Sequence, residues 1–90
     1  MLKTLEELIM TVRDRKKTPL EKSYTNKLLN DKLLSKSKVK EEIAELFDSV
    51  ENNSNKIHEA ADVLYHLIVY LEGNGINVED VMEELKKRKR

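Results

Sequence analysis

Residues 56–72, KIHEAADVLYHLIVYLE, constrain this chain more than any other stretch. At about 100° per residue, Ile57, Ala60, Ala61, Leu64, Leu67, Ile68 and Leu71 cover one broad helical face. Val63, Tyr65, Val69 and Tyr70 carry apolar character onto the flanks. A helix apolar nearly all round is a buried helix. Ninety residues supply few helices to surround it, so part of it is expected to pack against a second subunit. Two-fold dimers are the commonest form of such association.

The rest of the chain reads as helix too. Leu2, Leu5, Leu8, Ile9 and Val12 recur at helical spacing over 2–16. Thr18-Pro19 breaks the pattern, because the residue before proline leaves the helical region. Pro19 suits a first helical turn, so a second, less regular helix is expected over 20–34, with Asn30-Asp31 as its weak point. Ser35 or Ser37 can cap a third helix over 38–51, whose stripe is Val39, Ile43, Leu46, Phe47 and Val50. Asn52-Asn53-Ser54-Asn55 is a polar loop. Gly73 or Gly75 ends the fourth helix by taking positive φ. Asn77 caps a fifth over 78–88, with acids first and cations last. No strand pattern or repeat interrupts this, so the fold class is all-α, a single domain over 1–90.

Composition removes several function classes. Lys+Arg and Asp+Glu balance at 17 each, so net charge points to neither nucleic acid nor membrane. The terminal Lys86-Lys87-Arg88-Lys89-Arg90 is better read as cations completing a helix dipole than as a nucleic-acid contact. Zero cysteines exclude disulfides, thiolate catalysis and cysteine-bound zinc. No apolar run approaches the roughly 20 residues that span a bilayer. The N-terminus, with acids where a signal peptide is apolar, reads as mature protein, and the cytoplasm is the expected location.

Against this apolar frame the acids stand out. Glu59, Asp62 and His66 share a narrow stripe at i, i+3, i+7. Glu42 and Glu45 are also i, i+3 on the preceding helix, flanked by Glu41 and preceded by Lys38. A short polar loop makes the two helices antiparallel neighbours, which brings E-x-x-E (42–45) toward E-x-x-D (59–62). Carboxylates crowded in a partly dry cleft protonate or take up a cation. Oxygen ligands suit Mg²⁺, with Mn²⁺ as substitute, and Mg²⁺ is usually completed by substrate phosphates. That chemistry fits phosphoanhydride hydrolysis. The bland alternative is a solvated acidic face paired with nearby lysines. His58 reads as surface. His66 reads as support for an acid or a subunit contact rather than as a ligand.

E-E-x-x-E (41–45) followed by E-A-A-D-x-x-Y-H (59–66) resembles the phosphoribosyl-ATP pyrophosphohydrolase family. L-E-E-L (5–8), R-D-R-K (13–16), S-Y-T-N-K-L-L (23–29), Lys38-Val39 and V-E-D-V-M-E-E-L (78–85) extend the resemblance over nearly the whole chain. It implies a MazG-like helical bundle of four to five helices, assembled as a homodimer or a dimer of dimers. It implies Mg²⁺-dependent hydrolysis of 1-(5-phosphoribosyl)-ATP to 1-(5-phosphoribosyl)-AMP and pyrophosphate, the second step of histidine biosynthesis. By position, Glu42, Glu45, Glu59 and Asp62 would bind metal, and Glu41 would assist as ligand or in activating water. Lys38, Ser23, Tyr24, Thr25 and Lys27 would meet substrate. Tyr24 and Tyr65 read equally as core residues with satisfied hydroxyls, and Arg13 as a helix-surface charge. Two departures fall on the substrate side: Lys40 stands where the family has a small residue, and Asn30-Asp31-Lys32 where it has a glycine. Asn tolerates the left-handed conformation that such a glycine supplies. The competing readings are a MazG-like (deoxy)nucleoside triphosphate pyrophosphohydrolase and, less favoured, a non-catalytic helical interaction module.

Overall fold

A computed structural model describes residues 2–89; Arg90 of the basic tail lies outside the described residues. Five helices follow in order: α1 (Lys3–Lys17), α2 (Tyr24–Asn30), α3 (Lys32–Glu51), α4 (Lys56–Gly73) and α5 (Val78–Lys87). No strand occurs among the described residues, so the all-α class holds. None of these helices is long and apolar enough to cross a membrane.

The helices form for local reasons that the structure makes explicit. α1 buries Val12 completely, and packs Leu5, Leu8 and Ile9 against the core. Arg15, Lys16 and Lys17 in its last turn complement the dipole. Pro19 starts no helix. Residues 18–23 instead form a loop held by the buried Asn26 side chain, which accepts from the Leu20 N–H at 2.6 Å and donates to the Arg15 carbonyl at 2.9 Å. α2 therefore begins only at Tyr24, where Ser23 accepts from the Asn26 N–H at 3.3 Å. The expected weak point at 30–31 is a complete break. Asp31 accepts from the Leu34 N–H at 3.0 Å and caps α3, so α3 starts at Lys32 and Ser35 and Ser37 lie inside it. This turn uses no left-handed residue: Asp31 has φ −135°.

α3 and α4 make the most extensive contact in the molecule, as an antiparallel hairpin. Asn53 and Asn55 take positive φ (52° and 55°) in the connecting loop, a conformation asparagine tolerates better than most side chains. α4 ends at Gly73, where a side chain would press on Leu29 Cδ2 at 3.2 Å. Gly75 supplies positive φ just beyond. Asn77 makes no side-chain cap to α5. Its role is taken by Glu72, whose Oε2 accepts from the Val78 N–H at 3.0 Å.

The core is Val12, Leu28, Ile68, Val69 and Val78, drawn from α1, α2, α4 and α5. It lies on the C-terminal half of α4. The N-terminal half is not enclosed by the chain: Ile57 is 88% and Leu64 52% exposed. Phe47 and Val50 on the adjoining end of α3 are exposed as well.

Candidate active site

The hairpin does what the spacing predicts with the acids. Ligand oxygens of Glu41, Glu42 and Glu45 lie within 4.8 Å of one another on α3. Those of Glu59 and Asp62 form a second such group on α4 together with a His58 ring nitrogen. The two groups meet. Glu42 is buried, and its pKa is raised by burial first, then by repulsion from Glu45 and Asp62. Glu59 is raised by burial and by Glu45. Glu45 thus adjoins both, and four carboxyls from two helices share one cleft. Glu42 Oε2 and Glu59 Oε2 are buried with no hydrogen-bond partner. An orphaned buried carboxylate oxygen is costly, and two from facing helices are what a cation would satisfy. The all-oxygen set suits a hard divalent ion.

His58 is exposed as expected, yet it faces Asp62, with Nε2 3.4 Å from Asp62 Oδ2. Lys38 pairs with Glu41 at 3.2 Å, and this contact raises the lysine's pKa. The remaining residues that the resemblance assigns to substrate lie at the start of α2. Ser23 is occupied by its capping bond. Thr25 Oγ1 lies 2.5 Å from the Tyr65 hydroxyl, and Tyr24 OH 3.0 Å from His66 Nε2. Both tyrosines are therefore polar-satisfied, and neither is plain core: Tyr24 is exposed and Tyr65 partly buried. Burial raises the Tyr24 phenol, and Lys38, Glu42 and Glu41 lie close enough to act on it as well. Lys27 is exposed and lines a cavity of about 520 Å³ with Lys22, Tyr24 and Pro19. His66 is buried, with Nδ1 2.8 Å from the Asp62 backbone carbonyl oxygen and no bond to the Asp62 carboxyl.

One grouping escaped the sequence reading. Arg13 is no free surface charge: it donates to both oxygens of the buried Glu72, at 2.9 Å each, and to Glu79 of α5. The signal was present, since Glu72 ends an otherwise apolar turn and a buried acid requires a partner.

The helices and their carboxylate cleft define an all-α bundle with an all-oxygen acidic cluster, a donor set that suits a hard cation. The family model described as phosphoribosyl-ATP pyrophosphohydrolase matches residues 5–89. A Bacillus cereus (strain AH187) protein named phosphoribosyl-ATP pyrophosphatase is 41% identical over 86 residues, 90% of this chain and 78% of that protein. A Bacillus mycoides (strain KBAB4) protein of the same name is 42% identical over 89 residues, 93% of this chain and 81% of its own length. One from Bacillus anthracis is 40% identical over 93 residues, covering 98% and 85%. The chain belongs to the phosphoribosyl-ATP pyrophosphohydrolase family.

Proposed function

We propose that this protein, as a single domain over 1–90, hydrolyses 1-(5-phosphoribosyl)-ATP to 1-(5-phosphoribosyl)-AMP and pyrophosphate, with Mg²⁺ held by Glu42, Glu45, Glu59 and Asp62. The observation that carries the metal assignment is the pair of orphaned buried oxygens on Glu42 and Glu59. Mg²⁺ when bound screens phosphate charge and lowers the pKa of water. Glu41, exposed and grouped with Glu42 and Glu45, orients or deprotonates the attacking water. Lys38 holds Glu41 and presents an ammonium to the phosphates. Tyr24, Thr25 and Lys27 form the substrate side, with Ser23 fixing their helix. The reaction belongs to histidine biosynthesis in the cytoplasm.

Incubation with phosphoribosyl-ATP and Mg²⁺ should release pyrophosphate, and chelation by EDTA should stop it. Release from dCTP, dUTP or dTTP but not from phosphoribosyl-ATP would overturn the substrate and leave a nucleoside triphosphate pyrophosphohydrolase.

The same reading includes a homodimer, alone or paired as a dimer of dimers. Its support is the exposure of Phe47 and Val50 near the end of α3 and of Ile57 and Leu64 in the N-terminal half of α4. Exposed apolar groups such as these mark an interface. Sedimentation equilibrium should give at least twice the 10.5 kDa chain mass. The substitution Ile57→Lys should shift that mass toward the monomer, and a monomeric wild-type protein would sink the assembly.

A further inference from the structure

His66 uses both ring nitrogens, and its partners determine which carries the hydrogen. Nδ1 faces the Asp62 backbone carbonyl at 2.8 Å. A carbonyl only accepts, so Nδ1 carries the hydrogen and donates it. In the neutral ring Nε2 is then bare, and it accepts from the Tyr24 hydroxyl at 3.0 Å. The single hydrogen of Tyr24 is thereby committed. What its oxygen still offers is lone pairs, and ionised phosphate oxygens, which are acceptors, cannot use them.

The surrounding contacts make this arrangement rigid. The Tyr24 and His66 rings meet edge to face, with centroids 5.8 Å apart and planes at 78°. Tyr65 stands edge-on to the same imidazole at 5.0 Å and holds Thr25. α2 has only seven residues, too few to be stable alone. Consecutive side chains of α4 thus hold the first turn of α2 at two points.

We infer that His66 is a positioning residue that fixes Tyr24 as a hydrogen-bond acceptor beside the acid cleft, where Tyr24 selects for a hydroxyl donor. That donor is a sugar hydroxyl of the substrate or a water on the bound cation. The inference rests on the proposed function for the identity of the substrate, but not for the tautomer.

The test uses the full chain with Tyr24→Phe, His66→Asn, His66→Gln and the double variant Tyr24→Phe/His66→Asn. Asn can keep the Asp62 bond and loses the acceptor for Tyr24; Gln can place an oxygen near the lost Nε2. Tyr24→Phe and His66→Asn should each lower kcat/KM by about tenfold. The double variant should be no worse than either single one, because both break the same bond. His66→Gln should recover most of the loss. Mn²⁺ titration followed by electron paramagnetic resonance separates the two donors. A raised KM with unchanged Mn²⁺ affinity assigns a sugar hydroxyl, and weakened Mn²⁺ binding with a lower kcat assigns a cation-bound water. Losses that multiply in the double variant, or wild-type kinetics and Mn²⁺ affinity in Tyr24→Phe, would overturn the inference. Nitrogen-15 shifts of the His66 ring read the tautomer without any turnover. A hydrogen on Nε2 instead of Nδ1 overturns the positioning role. Absence of wild-type turnover on phosphoribosyl-ATP overturns only the proposed function.

Discussion

Replacing Glu42 by Gln should cost more than about 100-fold in turnover while raising the melting temperature of the cation-free protein. The two effects share one cause. Glu42 is buried, and its charge is opposed by Glu45 and Asp62. Without a cation the folded chain carries this repulsion, and the amide removes it at nearly constant volume. The gain in melting temperature is about 4–8 °C for each kcal/mol relieved in a domain of this size. With a cation the same charge is required, and a ligand's loss should exceed the roughly 10–100-fold lost when an outer partner of a ligand is removed. Asp62→Asn should behave in the same way.

The pH dependence carries the same sign. The carboxyls of Glu42 and Glu59 are raised above their ordinary 4.5, so folding favours their protonated forms. Cation-free stability should therefore fall as pH rises from about 4.5 through the raised range. Added Mg²⁺ should restore it above that range, since binding to the folded state alone stabilises it. Differential scanning fluorimetry from pH 4 to 8, with and without Mg²⁺, reads both trends. Full activity in Glu42→Gln or Asp62→Asn, or a Mg²⁺-induced stabilisation that survives them, would remove these residues from the metal set.

The meeting of the two acid pairs was legible because its information is local. Two i, i+3 acid pairs on neighbouring helices need only helical periodicity and a short loop to meet, and 52–55 is such a loop. What was not legible depends on side-chain hydrogen bonds made across loops, whose partners residue propensity does not specify. Pro19 is a sound helix start by propensity, yet Asn26 holds the loop after it by bonds to Leu20 and Arg15. Asn77 is a sound cap by residue type, yet the Val78 N–H goes to Glu72, six residues away and on another helix. Ser35 and Ser37 lost the third cap to Asp31, a break only two residues past Leu29. The apolar circumference of α4 suggested burial on all sides. The chain covers its C-terminal half and leaves Ile57 and Leu64 open in the N-terminal half, which also bears the acids.

Arg13→Met should lower the melting temperature by more than about 10 °C without moving kcat measured well below the transition. Glu72 is 2% exposed and receives three donors: two from the Arg13 guanidinium and the Val78 N–H. Arg13 also reaches Glu79, so one guanidinium ties α1 to the end of α4 and the start of α5. Lys16 adds a bond to the Glu72 carbonyl at 2.7 Å. Removing the guanidinium strands a carboxylate in the core. Breaking such a pair costs about 3–5 kcal/mol when fully buried. Arg13 keeps 27% of its side-chain surface, so the low end, about 3 kcal/mol, is expected here. That is a large part of the roughly 5–15 kcal/mol that holds a domain together. Activity should be spared because Glu72 lies ten residues beyond Asp62, about 15 Å along the helix. The pH trend is opposite to that of the cleft. Arg13 holds Glu72 below its ordinary value and Glu79 down at about 2. The clamp's contribution is therefore present above about 4.5 and is lost as pH falls toward 2. The double variant Arg13→Met/Glu72→Leu should recover much of the lost stability, because it removes the stranded charge and leaves unmade only the α5 cap and the contact to the exposed Glu79. Thermal melts of the three proteins decide the matter: a single variant within about 2 °C of wild type would show that the pair merely offsets its own desolvation.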